Sequence, residues 1–132
     1  METPAETSDD TTTVADLRKL VSDFVAERDW EQFHNPKNLA MSIAVEAAEL
    51  MEHFQWISGE QSQQPSADDR VEIEAELADV LCYCMGMANA LDIDIATAMH
   101  AKMVRNRNKY PAEEFRGRFG YNDTTDKRDD LT

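Results

Sequence analysis

The sequence predicts an all-α fold, a four-helix bundle, and three observations predict it. Ala, Leu, Met and Glu recur through the middle of the 132 residues, whereas aromatics make up only 8% and Gly and Pro number four each, a balance that favours helix over sheet. Apolar residues repeat at helical spacing in four successive segments. The connections between those segments are short and polar, as in a bundle.

The first helix is expected from about Val14 to Asp29, with Val14, Leu17, Leu20, Val21, Phe24 and Val25 at helical spacing. A loop follows over Trp30 to Pro36, where the Asn35-Pro36 pair signals a turn. The second helix runs from about Lys37 to Ile57. Its residues Leu39, Ala40, Ile43, Ala44, Ala47, Leu50, Met51, Phe54 and Ile57 fill one arc of about 140°. Gly59 is expected to stop it and to open a polar loop to Asp69. The third helix starts near Asp68 or Asp69 and reaches about Leu91, with Ile73, Leu77, Val80, Leu81, Cys84, Ala88 and Leu91 inward and Gly86 marking a close approach. The fourth begins near Asp92 or Asp94 and ends before Pro111, because the residue preceding a proline disfavours helical geometry. Residues 1–13 and 122–132 are polar, Thr/Asp-rich tails expected to be disordered, which leaves a domain of residues 14–121.

The formal net charge is −14, from 27 acidic and 13 basic side chains. That argues against nucleic acid or an anionic membrane as partner. The tails hold eight of the acids and two of the bases, so the middle still nets −8. Val80 to Leu91, the longest uncharged apolar stretch, is too short to span a bilayer. The opening METPAETSDDTTT has no basic or apolar run of a targeting signal. Cys82 and Cys84 point about 200° apart on a helix and cannot bridge. A cytoplasmic protein with reduced thiols is the expectation.

The carboxylates are patterned. Glu46 and Glu49 lie three apart at the border of the second helix's apolar arc, with Ser42, His53 and Trp56 on the same stripe. Glu76 and Asp79 repeat the spacing on the third helix, with Glu72 and Tyr83 on their stripe. Antiparallel neighbours would aim four acids at one point, where carboxylates about 5 Å apart repel by about 3 kcal/mol per pair at an effective dielectric near 20. A divalent cation removes that cost, and all-oxygen donors suit Mg²⁺ or Mn²⁺. Either pair alone would read as a solvated helix face. A di-iron carboxylate bundle is the competing metal site, and Glu31-Gln32-Phe33-His34 supplies one ExxH. It needs two, and neither His53 nor His100 has a Glu three positions earlier.

Six bases fall between positions 102 and 118, and Lys102, Asn106 and Lys109 share one helical face able to contact phosphate oxygens or to offset a helix C-terminus. Trp30, Phe33, His34, Trp56 and Tyr83 form the candidate base-binding surface. Apolar residues off the main arcs, Met41, Val45, Met85 and Ile95 among them, predict a homo-oligomer.

Taken together, ERDWEQFHNPKNL, EAAELMEHFQW, EAELADVLCY and KMVRNRNKYP resemble the all-α nucleoside triphosphate pyrophosphohydrolases related to MazG, in particular the dCTP pyrophosphatase branch, over about residues 14–111. The resemblance implies a four-helix protomer assembling into dimers or a dimer-of-dimers tetramer, with Mg²⁺ on Glu46, Glu49, Glu76 and Asp79. It implies base and sugar contacts from Trp30, Glu31, Gln32, Phe33, His34, Trp56 and Tyr83, and phosphate contacts from Lys102, Asn106 and Lys109. One position departs: Val21 stands where animal members have a His in the first helix. The implied reaction is hydrolysis of a nucleotide, dCTP or a base-modified dCTP, to the monophosphate and pyrophosphate, with Glu46 or Glu49 as general base. The alternatives are house-cleaning of another NTP or dNTP and a non-catalytic helical interaction module.

Overall fold

A computed structural model describes residues 7–118, and every regular element among them is helical. Four long helices, α1 (Val14–Glu27), α2 (Pro36–Glu52), α4 (Ala67–Leu91) and α5 (Ile95–Lys109), correspond to the four expected. Two short ones, α3 (Gly59–Ser62) and α6 (Ala112–Phe115), and a 3-10 turn over Glu31–Phe33 were not foreseen from the pattern. The expected tail at 122–132 and the first six residues lie outside the described residues. From Ser8 the chain makes a turn held by Thr11 and Thr12 N–H bonds to the Ser8 carbonyl.

Caps set the helix boundaries. Thr13 and Asp16 form a capping box at the start of α1. Asn35 caps α2 with Pro36 in its first turn, Ser66 caps α4, and Asp94 caps α5. Gly59 is not the stop expected: Ser58 and Gln61 form a capping box there, and Gly59 is the first residue of α3. The second helix ends at Glu52, not Ile57, since residues 53–57 close tighter turns such as Phe54 N–H to Met51 O at 2.9 Å. The first helix ends at Glu27, before Asp29, because Asp29 is left-handed (φ 53°). There Trp30 N–H bonds Val25 O at 3.1 Å and Asp29 N–H bonds Ala26 O at 3.1 Å. That is the Schellman closure, normally made with glycine, and Asp92 (φ 51°) repeats it at the end of α4 with Ile93 N–H to Ala88 O at 2.9 Å.

The described residues divide into two compact units, one ending at Ile93 and one beginning at Asp94. In the first, α4 is the hub against which both α2 and α1 pack. The start of α2 meets the end of α4: Leu39, only 2% exposed, lies where a Cβ on Gly86 would stand 3.4 Å from its Cδ2. The close approach expected at Gly86 is therefore present. With Glu49 near Glu76 further along, α2 and α4 run antiparallel. The buried apolar residues are few: Val25, Leu39 and Ala88 in the first unit, Phe115 in the second, where Tyr110 meets it edge-on at 5.2 Å. Much of the expected inner arc is exposed in the single chain, including Ala40, Ala44, Ala47, Met51, Leu77 and Leu81.

Asp29 in a left-handed conformation costs what glycine would not. Asp29→Gly is expected to raise stability by about 0.5–1 kcal/mol in urea unfolding. A loss of stability would mean that the Asp29 side chain contributes more than its backbone costs.

Candidate functional site

Glu46 and Glu49 leave α2 one turn apart and face Glu76 of α4. One oxygen from each lies within 4.8 Å of the others, and all three side chains are half-buried. Glu46 Oε2 and Glu76 Oε2 are buried without a hydrogen-bond partner. Buried carboxylate oxygens left unpaired are costly, and an oxygen-seeking cation is the group that would satisfy them. The glutamates therefore fit a divalent metal in donor type and in unmet bonding.

The electrostatics agree. The Glu46 carboxyl is pushed from the usual 4.5 to about 7, first by a hydrogen bond shared with Glu49, then by burial and by the charges of Glu49, Asp79 and Glu76. Burial, the hydrogen bond to Glu49 and the neighbouring acids raise Glu76 too, opposed by His53. His53 follows the end of α2, on the stripe that carries the acids. Asp79 is close enough to act on both glutamates but is not one of the three converging carboxylates.

Asp79 instead lines a cavity of about 480 Å³ with Leu20, Val21, Phe24 and Val25 of α1, Trp30, His34, and Cys82 and Tyr83 of α4. His34 stacks on Tyr83, ring centroids 6.4 Å apart and planes at 29°. Trp30 is set by the Schellman turn and meets Phe24 edge-on at 5.7 Å, while the Arg28 guanidinium lies over the Phe24 ring at 3.7 Å. This cavity brings together Trp30, His34, Tyr83 and Asp79 behind largely apolar walls. The α1 wall was missed as part of a site because its residues read as core, although Val21 had been singled out as a departure.

The other expected residues are spread. Glu31 and His34 line a second cavity of about 460 Å³ with Val21, Val25, Asn35 and Asn89. Gln32 Nε2 donates to Asp29 O at 3.0 Å, and Phe33 is exposed with its carbonyl accepting from Asn38 Nδ2 at 3.1 Å. Trp56 is 88% exposed and lines neither cavity. Lys102, Asn106 and Lys109 belong to α5 in the second unit, where Asn106 is half-buried beside Met103 and Lys109 lies over the Tyr110 ring at 5.3 Å.

Residues 41–119 match the sequence profile of the MazG-like family. The chain is 43% identical to rat dCTP pyrophosphatase 1 over 109 residues, covering 80% of this chain, and 44% identical to the human protein of that name over 102 residues, covering 76%. It spans 63% and 60% of the lengths of those curated relatives. A crystal structure of a pyrophosphatase from Archaeoglobus fulgidus superimposes with a TM-score of 0.60 at 36% identity, over 74% of this chain and 91% of that one.

The raised Glu46 carboxyl has a consequence for the metal-free protein. Below about pH 4.5 the group is protonated folded and unfolded alike, and between 4.5 and 7 the unfolded chain releases the proton first, so stability is lost as pH rises through 7. In EDTA, Glu46→Gln is expected to melt with wild type near pH 4.5 and above it from pH 7 upward. A constant difference across that range would contradict the shift.

Proposed function

Because the chain belongs to the MazG-like family, we propose that it is a nucleoside triphosphate pyrophosphohydrolase, cleaving dCTP or a base-modified dCTP to the monophosphate and pyrophosphate in the cytoplasm. The observation that carries this reading is the seam of three glutamates, two with unpartnered buried oxygens, beside a cavity lined by Phe24, Trp30, His34 and Tyr83. The name dCTP pyrophosphatase, borne by relatives more than 40% identical, supports the base.

Glu46, Glu49, Glu76 and Asp79 would hold Mg²⁺, with Mn²⁺ an acceptable substitute for the same oxygen donors. When bound, Mg²⁺ supplies polarisation of the phosphate oxygens and offsets the charge of departing pyrophosphate. Glu46 or Glu49 takes a proton from the water whose oxygen bonds to the α-phosphorus as the bond to the bridging oxygen breaks. The hydrogen bond to Glu49 and the crowding that raise the Glu46 carboxyl to about 7 make its carboxylate form a stronger base than an ordinary glutamate. Trp30, His34 and Tyr83 enclose the base, and Asp79 stands where that cavity approaches the glutamates. Lys102, Asn106 and Lys109 are assigned to the phosphates, and Glu31, Gln32, Phe33 and Trp56 to the base and sugar. No nucleic acid or membrane partner is proposed; among the described residues no single helix is long and apolar enough to cross a bilayer.

A homo-oligomer, dimer or tetramer, is part of the same reading. Leu20, Met41, Val45, Leu77 and Leu81 are exposed in the single chain, and a second copy would cover such surface.

Glu49→Ala and Asp79→Ala are each expected to lower Mg²⁺-dependent pyrophosphate release by about two orders of magnitude or more, with helical circular dichroism unchanged. Retained turnover in both would overturn the assignment. Nucleotide with Mg²⁺ is expected to raise the melting temperature, dCTP more than the other common nucleotides. Solution scattering is expected to give a mass of two or four chains, and a monomer would remove the oligomer from the proposal.

A further inference from the structure

Three hydrogen bonds tie α1 to α4. Arg18 Nε donates to Asn89 Oδ1 at 3.1 Å, Arg18 Nη2 donates to the Ala88 carbonyl at 3.2 Å, and Asn89 Nδ2 donates back to the Arg18 carbonyl at 3.0 Å. All three are partly buried. The Ala88 carbonyl also accepts from the Schellman turn that closes α4, a helix with no basic residue in its own last turn. The guanidinium of α1 thus supplies the cation that the negative end of α4 lacks.

Apolar contact between helices is non-directional and leaves sliding along the axis soft, whereas bonds at about 3 Å fix register. What rides on that register is the aromatic cavity. Beyond Arg18 along α1 come Leu20, Val21, Phe24 and Val25, which form one wall. Back along α4 from Asn89 come Tyr83, Cys82 and Asp79, which form the other. Arg18 lines neither cavity described above, and Asn89 lines only the second, so any influence on the aromatic cavity passes through the placement of α1. The converging glutamates sit on α2 and α4, outside this linkage.

We infer that the Arg18–Asn89 tie is a positioning device that sets the register of the two walls of the aromatic cavity, and with it the selectivity of the protein for the base of its nucleoside triphosphate. This rests on the pyrophosphohydrolase reading above. The tie governs how well the base is held; the phosphate chemistry depends on the other helix pair.

The test compares Arg18→Met, which keeps the apolar stem, and Asn89→Ala, which removes both bonds of the amide, with Asn89→Asp, which keeps an acceptor for Arg18. Steady-state kinetics with the four dNTPs and Mg²⁺, well below the melting temperature, are combined with hydrogen exchange of residues 17–30 and 36–52. In Arg18→Met and Asn89→Ala, KM for the preferred dNTP is expected to rise about tenfold with kcat held within about twofold, and preference over the other three to narrow by about tenfold. Asn89→Asp is expected to stay within about threefold of wild type. Protection is expected to fall over 17–30 and to hold over 36–52. A purely stabilising tie would lower the melting temperature and the protection over 17–30 while leaving KM and preference at wild-type values, and that result overturns the inference. If Arg18→Met does not fold, Asn89→Ala against Asn89→Asp carries the same comparison. If wild type hydrolyses no nucleoside triphosphate, the pyrophosphohydrolase reading fails by itself. Hydrogen exchange then judges the tie: unchanged protection over 17–30 overturns it, and selective loss there retains it.

Discussion

Three carboxylates held within 4.8 Å of one another are the constraint to which the first unit answers. Like charges at that spacing repel by a few kcal/mol even at an effective dielectric near 20, a large fraction of the net stability of a small domain. Without a cation the hydrogen bond to Glu49, with that crowding, pushes the Glu46 carboxyl up to about 7. The antiparallel contact of α2 with α4 must therefore be held elsewhere along its length. Leu39 against Gly86 does so at one end, and the capped turns between Glu52 and Ala67 join the helices at the other.

That anchoring is slight. Val25, Leu39 and Ala88 are the buried apolar residues of the first unit, while large side chains along α1, α2 and α4 stay exposed. Directional devices matter more in such a molecule than in one with a large core. Caps at Thr13, Asn35, Ser58, Ser66 and Asp94 fix where helices begin, and two Schellman turns fix where α1 and α4 end.

The acidic pairs and the long helices were legible because both follow from a period of 3.6: three-residue spacing at the edge of an apolar arc reports direction without any tertiary knowledge. The termini were less legible. Asp29 and Asp92 take a conformation usually left to glycine, and Gly59 takes an ordinary helical one, so residue type misled at these positions. The arcs also overstated burial, since periodicity shows which residues share a face but not whether one chain covers that face. The α1 wall of the aromatic cavity escaped notice for a related reason: Leu20, Val21 and Phe24 carry no chemistry of their own and become lining only where α1 is held against α4. Arg18 and Asn89 are 71 positions apart, and no local pattern joins them.

The sharing of α4 between the two halves of the site limits how specificity can vary. Glu76, Asp79 and Tyr83 lie on one stripe, at a rise of 1.5 Å per residue about 4.5 and 6 Å apart along the axis. In the proposed function a rigid helix thus spaces the carboxylate seam from the face given to the base, and a change of face on α4 that suited a new base would also turn the carboxylates away from the seam. The opposite wall is free of that coupling. Val21 and its neighbours on α1 touch the cavity but not the glutamates, and Trp30 is placed by the turn that ends α1. If the cavity takes the base as proposed, differences in the base accepted are a matter for α1 and its turn, and an apolar Val21 would leave this wall to recognise by shape and stacking, with hydrogen bonds left to His34, Tyr83 and Asp79.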